Sequence, residues 1–284
     1  MGRNRGWQSG ASEALRWRPG ATVTDIDPRA ATGFEGDASD GRRLLSKRGK
    51  RLSELQELLY ANGRSGSEAS VLLVLQGMDT AGKGGIVRHV IGMVDPQGVQ
   101  HAAFGKPTAE ELSHDFLWRI RRELPHGGQI GVFDRSHYED VLVVRVHGLV
   151  PRSRWEPRYD AINGFEAELA GSGTTLVKCA MFVSLDEQRE RLAKRLDRPD
   201  KYWKFNPGDI DERAFWPQYQ DAYQAMLDRT STDVAPWHVI PADRKWFARL
   251  AVTELLIEAL QSQHLDWPPA DFDVREQKAR LAAS

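Results

Sequence analysis

Residues 71–85 read Val71-Leu72-Leu73-Val74-Leu75-Gln76-Gly77-Met78-Asp79-Thr80-Ala81-Gly82-Lys83-Gly84-Gly85. The run 71–75 is short and rich in Val and Leu, which is typical of a buried β-strand. The pattern Gly-x-x-x-x-Gly-Lys follows, and residues 86–93 carry apolar side chains at helical spacing. Strand, glycine-rich loop and helix in this order predict a phosphate-binding loop.

The loop has the chemistry of a polyanion site. Gly77 and Gly82 allow backbone N–H groups to face inward, and Lys83 adds a fixed cation at the positive end of a helix. We count Gly84 and Gly85 with these residues as the phosphate-binding set. The alternative is a tight turn between strand and helix that binds no ligand.

One position departs from the usual pattern. The residue after the lysine is commonly Ser or Thr, whose hydroxyl helps to hold Mg²⁺, whereas this chain has Gly84 there and a carboxylate at Asp79. Because a hard cation among phosphates still needs protein oxygens, we expect Asp79 to take part in metal binding. The alternative is that Asp79 only caps the helix.

Composition excludes several classes of function. The chain has 284 residues, 40% of them hydrophobic, and a net charge of −1, which argues against a globally basic nucleic-acid binder. Its single cysteine, Cys179, lies in an apolar run and is expected to be a small buried side chain in a reducing cytoplasm. No apolar run reaches membrane-spanning length, and the N-terminus lacks the apolar segment of a signal peptide.

The apolar runs predict an α/β fold with five parallel strands. The remaining four runs lie at 99–104, 130–134, 174–183 and 236–241. We predict an irregular arm over residues 1–45, an amphipathic helix over 43–61, a core over 61–269 that closes with an amphipathic helix at 248–260, and a loose tail over 270–284. Basic residues open the first helix, either as a solvated face or as a rim that attracts an anion.

Two capping boxes are also predicted. Thr108 and Glu111 should begin a helix that continues through Ile120, and Ser136 and Glu139 should begin another. The strand 130–134 ends in Asp134, where a carboxylate can reach a metal ion beside a phosphate loop. Arg135 comes next and is suited to grip phosphate oxygens, while His137 is expected to be structural.

A cationic segment interrupts the helical region after residue 195. Residues 197–209 mix cations, aromatics and turn residues, and we predict a lid at about 195–214 in which Trp203 and Phe205 act as anchors and the cations as clamps. A plain surface loop is the alternative.

Three motifs together resemble one family. Gly77-Met78-Asp79-Thr80-Ala81-Gly82-Lys83-Gly84-Gly85, Asp134-Arg135-Ser136-His137-Tyr138-Glu139-Asp140 and Arg195-Leu196-Asp197-x-Pro-x-Lys201-x-Trp203-Lys204 resemble the phosphate loop, second carboxylate motif and lid of type 2 polyphosphate kinases. The resemblance covers residues 19–264. Met78, residues 95–98 and the 137–140 variant resemble the subgroup, class III, that accepts nucleoside mono- and diphosphates.

The resemblance implies a three-layer, thymidylate-kinase-like P-loop kinase fold with a helical lid insertion and an N-terminal extension. It also implies transfer of the terminal phosphoryl group of inorganic polyphosphate to AMP, ADP or other nucleotides with Mg²⁺, or with Mn²⁺ in its place. Asp79 and Asp134 would bind the metal, and Glu139 and Asp140 would contact the nucleotide. Phosphates would be held by Lys83, Arg135, Arg195, Arg198, Lys201 and Lys204.

The chemistry alone also accounts for this set of residues. When the acceptor is a nucleotide phosphate, the attacking oxygen is already anionic, so positioning and charge neutralisation matter more than a general base. Two alternatives remain, an ATP-dependent nucleotide kinase of the thymidylate kinase type and a polyphosphate- or nucleotide-binding switch without turnover. A homo-oligomer is expected from the family and from exposed aromatics such as Trp7, Trp17 and Trp155.

Overall fold

The computed structural model describes residues 6–284. The first five residues of the predicted arm lie outside this range. The strands are β1 (Gly6–Trp7), β2 (Phe34–Glu35), β3 (Ser70–Gly77), β4 (Val99–Ala103), β5 (Ile130–Asp134), β6 (Thr174–Phe182) and β7 (Trp237–Pro241). The α-helices are α1 (Ala11–Leu15), α2 (Ala38–Arg64), α3 (Lys83–His89), α4 (Ala109–Leu112), α5 (Trp118–Arg121), α6 (Val143–Val146), α7 (Arg152–Trp155), α8 (Arg158–Gly171), α9 (Leu185–Leu196), α10 (Gly208–Asp211), α11 (Trp216–Thr230), α12 (Lys245–Ser262) and α13 (Val274–Ala282).

The central sheet has five parallel strands in the order β4–β5–β3–β6–β7, which confirms the predicted sheet. From β3 the chain runs first to the edge strand β4 and then to β5, which lies between β4 and β3. It then crosses to the other side of β3, where it forms β6 and the edge strand β7. The register places Asp134 beside both Leu75 and Ala103, so the carboxyl ends of β3, β4 and β5 are level. Open α/β sheets bind ligands outside the carboxyl ends of their strands where the order reverses.

Helices cover both faces of the sheet and give the predicted three layers. On one face, α2, α3 and α12 pack over Leu73 and Leu75; on the other, α8 and α11 pack over Leu72 and Val74. The buried strands are continuous apolar runs because neither face meets water. Cys179 is buried in β6, as expected, and burial raises the pKa of its thiol. Across the described chain, no helix is both long and apolar enough to span a membrane.

Three helical predictions need correction. The helix predicted over 43–61 instead begins at Ala38, with Asp37 as its cap, and runs for 27 residues to Arg64. It therefore extends past residue 61, where the core was predicted to begin. The helix predicted from Thr108 to Ile120 breaks into α4 and α5, because Asp115 accepts a hydrogen bond from the Leu117 N–H and starts a new turn. The predicted amphipathic closing helix is buried on nearly all sides as α12, and a further helix, α13, follows it.

The N-terminal arm is more ordered than predicted. Its strands β1 and β2 pair, and the Glu258 carboxylate of α12 accepts hydrogen bonds from the Ala11 and Ser12 N–H groups at the start of α1. Trp17 is buried, and Trp7 and Trp155 are half-buried. These three tryptophans were expected to be exposed, so that argument for a homo-oligomer is wrong, and oligomerisation stays a prediction from the family alone.

A buried histidine, His238, connects this arm to the sheet, and its lowered pKa predicts that the stability of the fold depends on pH. His238 lies 3.0 Å from the Ser12 hydroxyl and 3.3 Å from the Lys178 carbonyl oxygen. Burial lowers the pKa of His238 to about 4, from 6.5. Its neutral form therefore stabilises the fold fully above pH 6.5, and that contribution is lost as the pH falls from 6.5 toward 4.

In the wild type, His238 should lower the free energy of unfolding by about 3 kcal/mol between pH 7 and pH 4. We expect His238→Asn to lack this part of the pH dependence. Urea unfolding at several pH values measures this slope. The exposed His126→Asn is the control and should retain the wild-type slope. A His238→Asn slope equal to that of the wild type would contradict the assignment.

Candidate active site

The phosphate loop follows β3 and closes tightly. A Cβ atom on Gly77 would lie 2.8 Å from the Met181 carbonyl oxygen, so only glycine fits there. Gly82 caps α3 with a φ of +112°, which favours glycine. Thr80, between them, has a φ of +64° although it carries a side chain. Gly84 and Gly85 lie in the first turn of α3 and have open space beside them.

Lys83 lies across this loop. Its Nζ donates hydrogen bonds to the carbonyl oxygens of Gly77 (2.5 Å) and Met78 (3.4 Å). Burial lowers the pKa of Lys83, and the nearby Asp79 carboxylate opposes that effect. The two hydrogen bonds fix the Lys83 side chain against the backbone of the loop.

The two predicted metal-binding carboxylates line the same cleft as Lys83. Arg135 Nη2 lies 3.0 Å from Asp79 Oδ1, and Arg135 has a φ of +63°. Burial disfavours the charged Arg135, but the Glu139 and Asp79 carboxylates outweigh it and raise the pKa of the guanidinium. No side chain within residues 6–284 hydrogen-bonds or ion-pairs with the Asp134 carboxylate, which leaves its oxygens free for a ligand.

This cleft has a volume of about 890 Å³ and a strongly cationic wall. Among the described residues, Asp79 and Asp134 are its only acidic lining. The basic lining consists of Lys83, Arg88, His89, Arg135, Arg191, Lys194, Arg195, Arg198, Lys201, Lys204, Lys245 and Arg249. A wall of this kind in a chain of net charge −1 concentrates positive potential at one place and suits a polyanion.

A second, acidic cleft of about 260 Å³ adjoins the first and shares Asp79 and Arg135 with it. Its wall contains Glu139, Asp209, Glu212, Tyr219 and Tyr223. Gln76 Nε2 donates a hydrogen bond to Glu139 Oε1 at 3.0 Å. Burial raises the pKa of Glu139, and Arg135 opposes the rise.

The residues after Arg135 correct one prediction, the capping box, and bear on a second, the nucleotide contact of Asp140. Ser136 Oγ accepts from the Tyr138 N–H, and Glu139 faces the acidic cleft, so the predicted capping box does not form. Asp140 does not line either cleft. Its buried carboxylate lies 2.7 Å from Arg158 and 3.7 Å from Arg119, which does not support the predicted nucleotide contact.

His137 is buried, with its Nε2 lying 3.2 Å from Glu166 Oε1. It lines neither cleft, and this placement agrees with the structural role predicted for it.

The predicted lid contains the 3₁₀ turns Pro199–Lys204 and Glu212–Phe215 with α10 between them. Arg195 Nη1 donates to the Lys204 carbonyl oxygen (2.9 Å) and to Asp209 Oδ2 (3.2 Å). Arg198 and Lys201 each lie 2.9 Å from Asp200 while lining the cationic cleft. Trp203 is 78% exposed, so it is not the anchor that was predicted.

Sequence reasoning missed the residues that support the loop. Arg191 is buried and donates to the carbonyl oxygens of Thr80 (2.8 Å) and Ala242 (2.6 Å), tying the phosphate loop to the end of β7. It also missed Arg88, Lys245 and Arg249. These cations stand on α3 and α12, far apart in the chain, and carry no local signal of a shared cleft.

Comparisons with known proteins identify relatives of this chain. Residues 35–268 match the family model described as polyphosphate kinase 2. The chain is 47% identical over 243 residues to an AMP/ADP-polyphosphate phosphotransferase of Meiothermus ruber, covering 86% of this chain and 90% of that protein. It is 43% identical over 261 residues to an ADP-polyphosphate phosphotransferase of Rhodopseudomonas palustris, covering 88% of this chain and 87% of that protein.

A crystal structure of polyphosphate kinase 2 from Arthrobacter aurescens superposes on this chain with a TM-score of 0.96. The two chains are 52% identical, and 98% of each is covered. A family match of this length, with the loop, the second carboxylate and the lid at one cleft, means that the chain belongs to the polyphosphate kinase 2 family.

Proposed function

We propose that the chain transfers the terminal phosphoryl group of inorganic polyphosphate to AMP or ADP. The observation that carries this proposal is the meeting of two clefts of opposite charge at Asp79 and Arg135. The names of the relatives from Meiothermus ruber and Rhodopseudomonas palustris support the same reaction.

We infer from the charges of the two clefts which substrate each cleft takes. Polyphosphate is a long polyanion, and the 890 Å³ cationic cleft offers it many ammonium and guanidinium groups. The acidic cleft would repel a polyphosphate chain, but its two tyrosines and its carboxylates suit an uncharged nucleoside with amine and hydroxyl donors. The acceptor phosphate would then point toward Arg135, which faces both clefts.

Kinases of this family typically need a divalent metal ion. We infer that it is Mg²⁺, with Mn²⁺ as a substitute, and that Asp79 and Asp134 hold it. No group of three or more metal-ligating side chains occurs within residues 6–284, but Mg²⁺ commonly takes one or two carboxylates and completes its shell with phosphate oxygens and water. The unpaired Asp134 carboxylate at the edge of the loop fits that donor set.

The reaction needs no general base, because the oxygen of the acceptor phosphate is already anionic. Arg135 and Lys83 would orient the two phosphates in line and stabilise the charge on the transferred group, and the lid cations would exclude water from the site. When bound, the metal ion would neutralise further charge on the same oxygens.

One assay tests this function. The purified chain is mixed with Mg²⁺, AMP or ADP, and long-chain polyphosphate as the sole phosphate donor, and formation of ADP and ATP is measured. Turnover with polyphosphate is expected. Turnover only with ATP as the donor would instead assign an ATP-dependent nucleotide kinase, and binding without turnover would assign a switch.

The lid arginine gives a kinetic prediction. Arg195 lines the cationic cleft and also fastens two parts of the lid together. We expect Arg195→Ala to raise the KM for polyphosphate about tenfold, since one guanidinium contact to phosphate and the lid geometry are both lost. Steady-state kinetics measure this, and Arg189→Ala, an exposed α9 cation outside the cleft, should behave as wild type. Unchanged kinetics in Arg195→Ala would remove this residue from the phosphate site.

A further inference from the structure

One face of α9 lies against the phosphate loop. Gln188, Arg191 and Arg195 are spaced at i, i+3 and i+7, so they share that face. Arg191 holds the Thr80 and Ala81 carbonyl oxygens, and Arg195 belongs to the lid. The helix that ends in the lid therefore also supports the loop.

Gln188 makes two hydrogen bonds in opposite directions. It is only 1% exposed. Its Nε2 donates to the Asp79 carbonyl oxygen at 3.1 Å, and its Oε1 accepts from Arg213 Nη1 at 2.7 Å. Because the amide has one donor end and one acceptor end, these partners fix a single orientation of the side chain.

Arg213 lies where the lid returns to the core, in the 3₁₀ turn Glu212–Phe215. Its Nη1 also donates to the Leu185 carbonyl oxygen at 3.0 Å, at the first residue of α9. A displacement of this end of the lid therefore acts directly on the acceptor end of Gln188.

The loop end of this connection is conformationally demanding. Asp79 precedes Thr80, whose φ of +64° is uncommon for a residue with a side chain. Such a conformation persists only where the surroundings hold it. The bond from Gln188 to Asp79 and the bond from Arg191 to Thr80 supply that support.

We propose that Gln188 is a positioning residue that couples the lid to the phosphate loop, so that the loop is correctly shaped only when Arg213 is in place. Gln188 also lines the acidic cleft, but both of its hydrogen bonds go to protein groups, and we assign its effect to the Asp79 backbone. This inference rests on the proposed function, since the reaction that benefits is phosphoryl transfer at that loop.

Four variants separate the two hydrogen bonds. Gln188→Glu keeps an acceptor for Arg213 but cannot donate to the Asp79 carbonyl oxygen. Arg213→Ala removes the bond from the lid to Gln188, together with the bond from Arg213 to the Leu185 carbonyl oxygen, and leaves the loop bond. Gln188→Met fills the same volume without either bond, and the double variant Gln188→Met/Arg213→Ala completes a cycle.

We expect each single variant to lower kcat about tenfold or more, with the KM for polyphosphate changed by less than about twofold, because the loop loses its shape while the phosphate-binding cations remain. The double variant should be no slower than Gln188→Met, since both changes break the same connection. If Gln188 only filled space, the double variant would have a lower kcat than Gln188→Met.

A second readout needs no turnover. Trypsin cleavage after the exposed Lys204 reports how firmly the lid is held. Cleavage should be faster in Arg213→Ala and Gln188→Met, and as slow as wild type in Gln188→Glu. If the wild-type chain proves inactive with polyphosphate, the proposed function fails, and these cleavage rates still test the bond between Gln188 and Arg213.

The matched control is Gln56→Met. Gln56 is also 1% exposed and its Oε1 accepts from the Asp95 N–H at 3.1 Å, near the amino end of β4, whereas the site lies at the carboxyl ends of the strands. It should lose stability and keep the wild-type kcat. Wild-type kcat in Gln188→Met or Arg213→Ala, or losses that multiply in the double variant, would overturn the coupling. If Gln188→Met does not fold, Gln188→Glu and Arg213→Ala carry the kinetic test.

Discussion

Replacing Asp134 with Asn should lower kcat for polyphosphate-dependent phosphorylation about a thousandfold while the fold is retained. The carboxylate stands at the end of β5, beside the phosphate loop, and makes no hydrogen bond or ion pair with the described residues. Asn has nearly the same shape, so packing is preserved. What is lost is the negative charge that we assign to divalent metal binding.

Three measurements check this expectation. Steady-state kinetics give kcat, thermal unfolding gives stability, and a titration of Mg²⁺ gives the metal concentration for half-maximal rate, which should rise. Asp221→Asn, an exposed carboxylate on α11 that lines neither cleft, is the control and should match the wild type in all three. A near-normal kcat in Asp134→Asn at ordinary Mg²⁺ concentrations would exclude the metal role.

The sheet and the loop were predictable because their signals are local. A strand buried on both faces is a continuous apolar run, and the glycine spacing after β3 belongs to one short stretch. The Ser136 capping box failed because the tertiary partner Gln76 holds Glu139 in the acidic cleft. A local pattern cannot reveal a competitor 63 residues away in the chain.

The walls of the two clefts were less predictable. Arg88, Lys245 and Arg249 each look like ordinary surface cations until the sheet order brings α3 and α12 together. Tyr219 and Tyr223 stand one turn apart on α11, a spacing that indicates a core-facing helix, and both do pack in the core while lining the acidic cleft. Residues that serve packing and binding at once carry no separate signal for the second role.

The core behind the site holds a buried ion pair whose disruption should cost the most stability. Lys178 and Glu166 are fully buried, and Lys178 Nζ lies 2.6 Å from Glu166 Oε2. Lys178 also donates to the Tyr138 hydroxyl at 2.9 Å and to the Thr230 carbonyl oxygen at 2.7 Å. Burial lowers the pKa of Lys178. Burial also disfavours the Glu166 carboxylate, but Lys178 and His137 together outweigh it and lower the pKa of Glu166.

We expect Lys178→Met to lower the free energy of unfolding by about 3–5 kcal/mol, because Glu166 is left charged, buried and without its cation. Its remaining partners are the Tyr138 hydroxyl (2.6 Å) and His137 (3.2 Å), which cannot replace an ammonium group at neutral pH. In this variant Tyr138 should be held less firmly, because it loses its hydrogen bond from Lys178. The turn that carries Glu139 into the acidic cleft should therefore become less ordered. Urea unfolding measures the loss.

Two further variants distinguish the charge effect from simple loss of packing. The double variant Lys178→Met/Glu166→Gln should be more stable than Lys178→Met alone, because no unpaired charge remains in the core. Arg152→Met breaks the exposed pair with Glu156 (2.7 Å) and should leave the free energy of unfolding close to that of the wild type. A Lys178→Met protein as stable as Arg152→Met would mean that Glu166 takes up a proton or reaches water at little cost, so that the turn holding Glu139 does not depend on the ion pair.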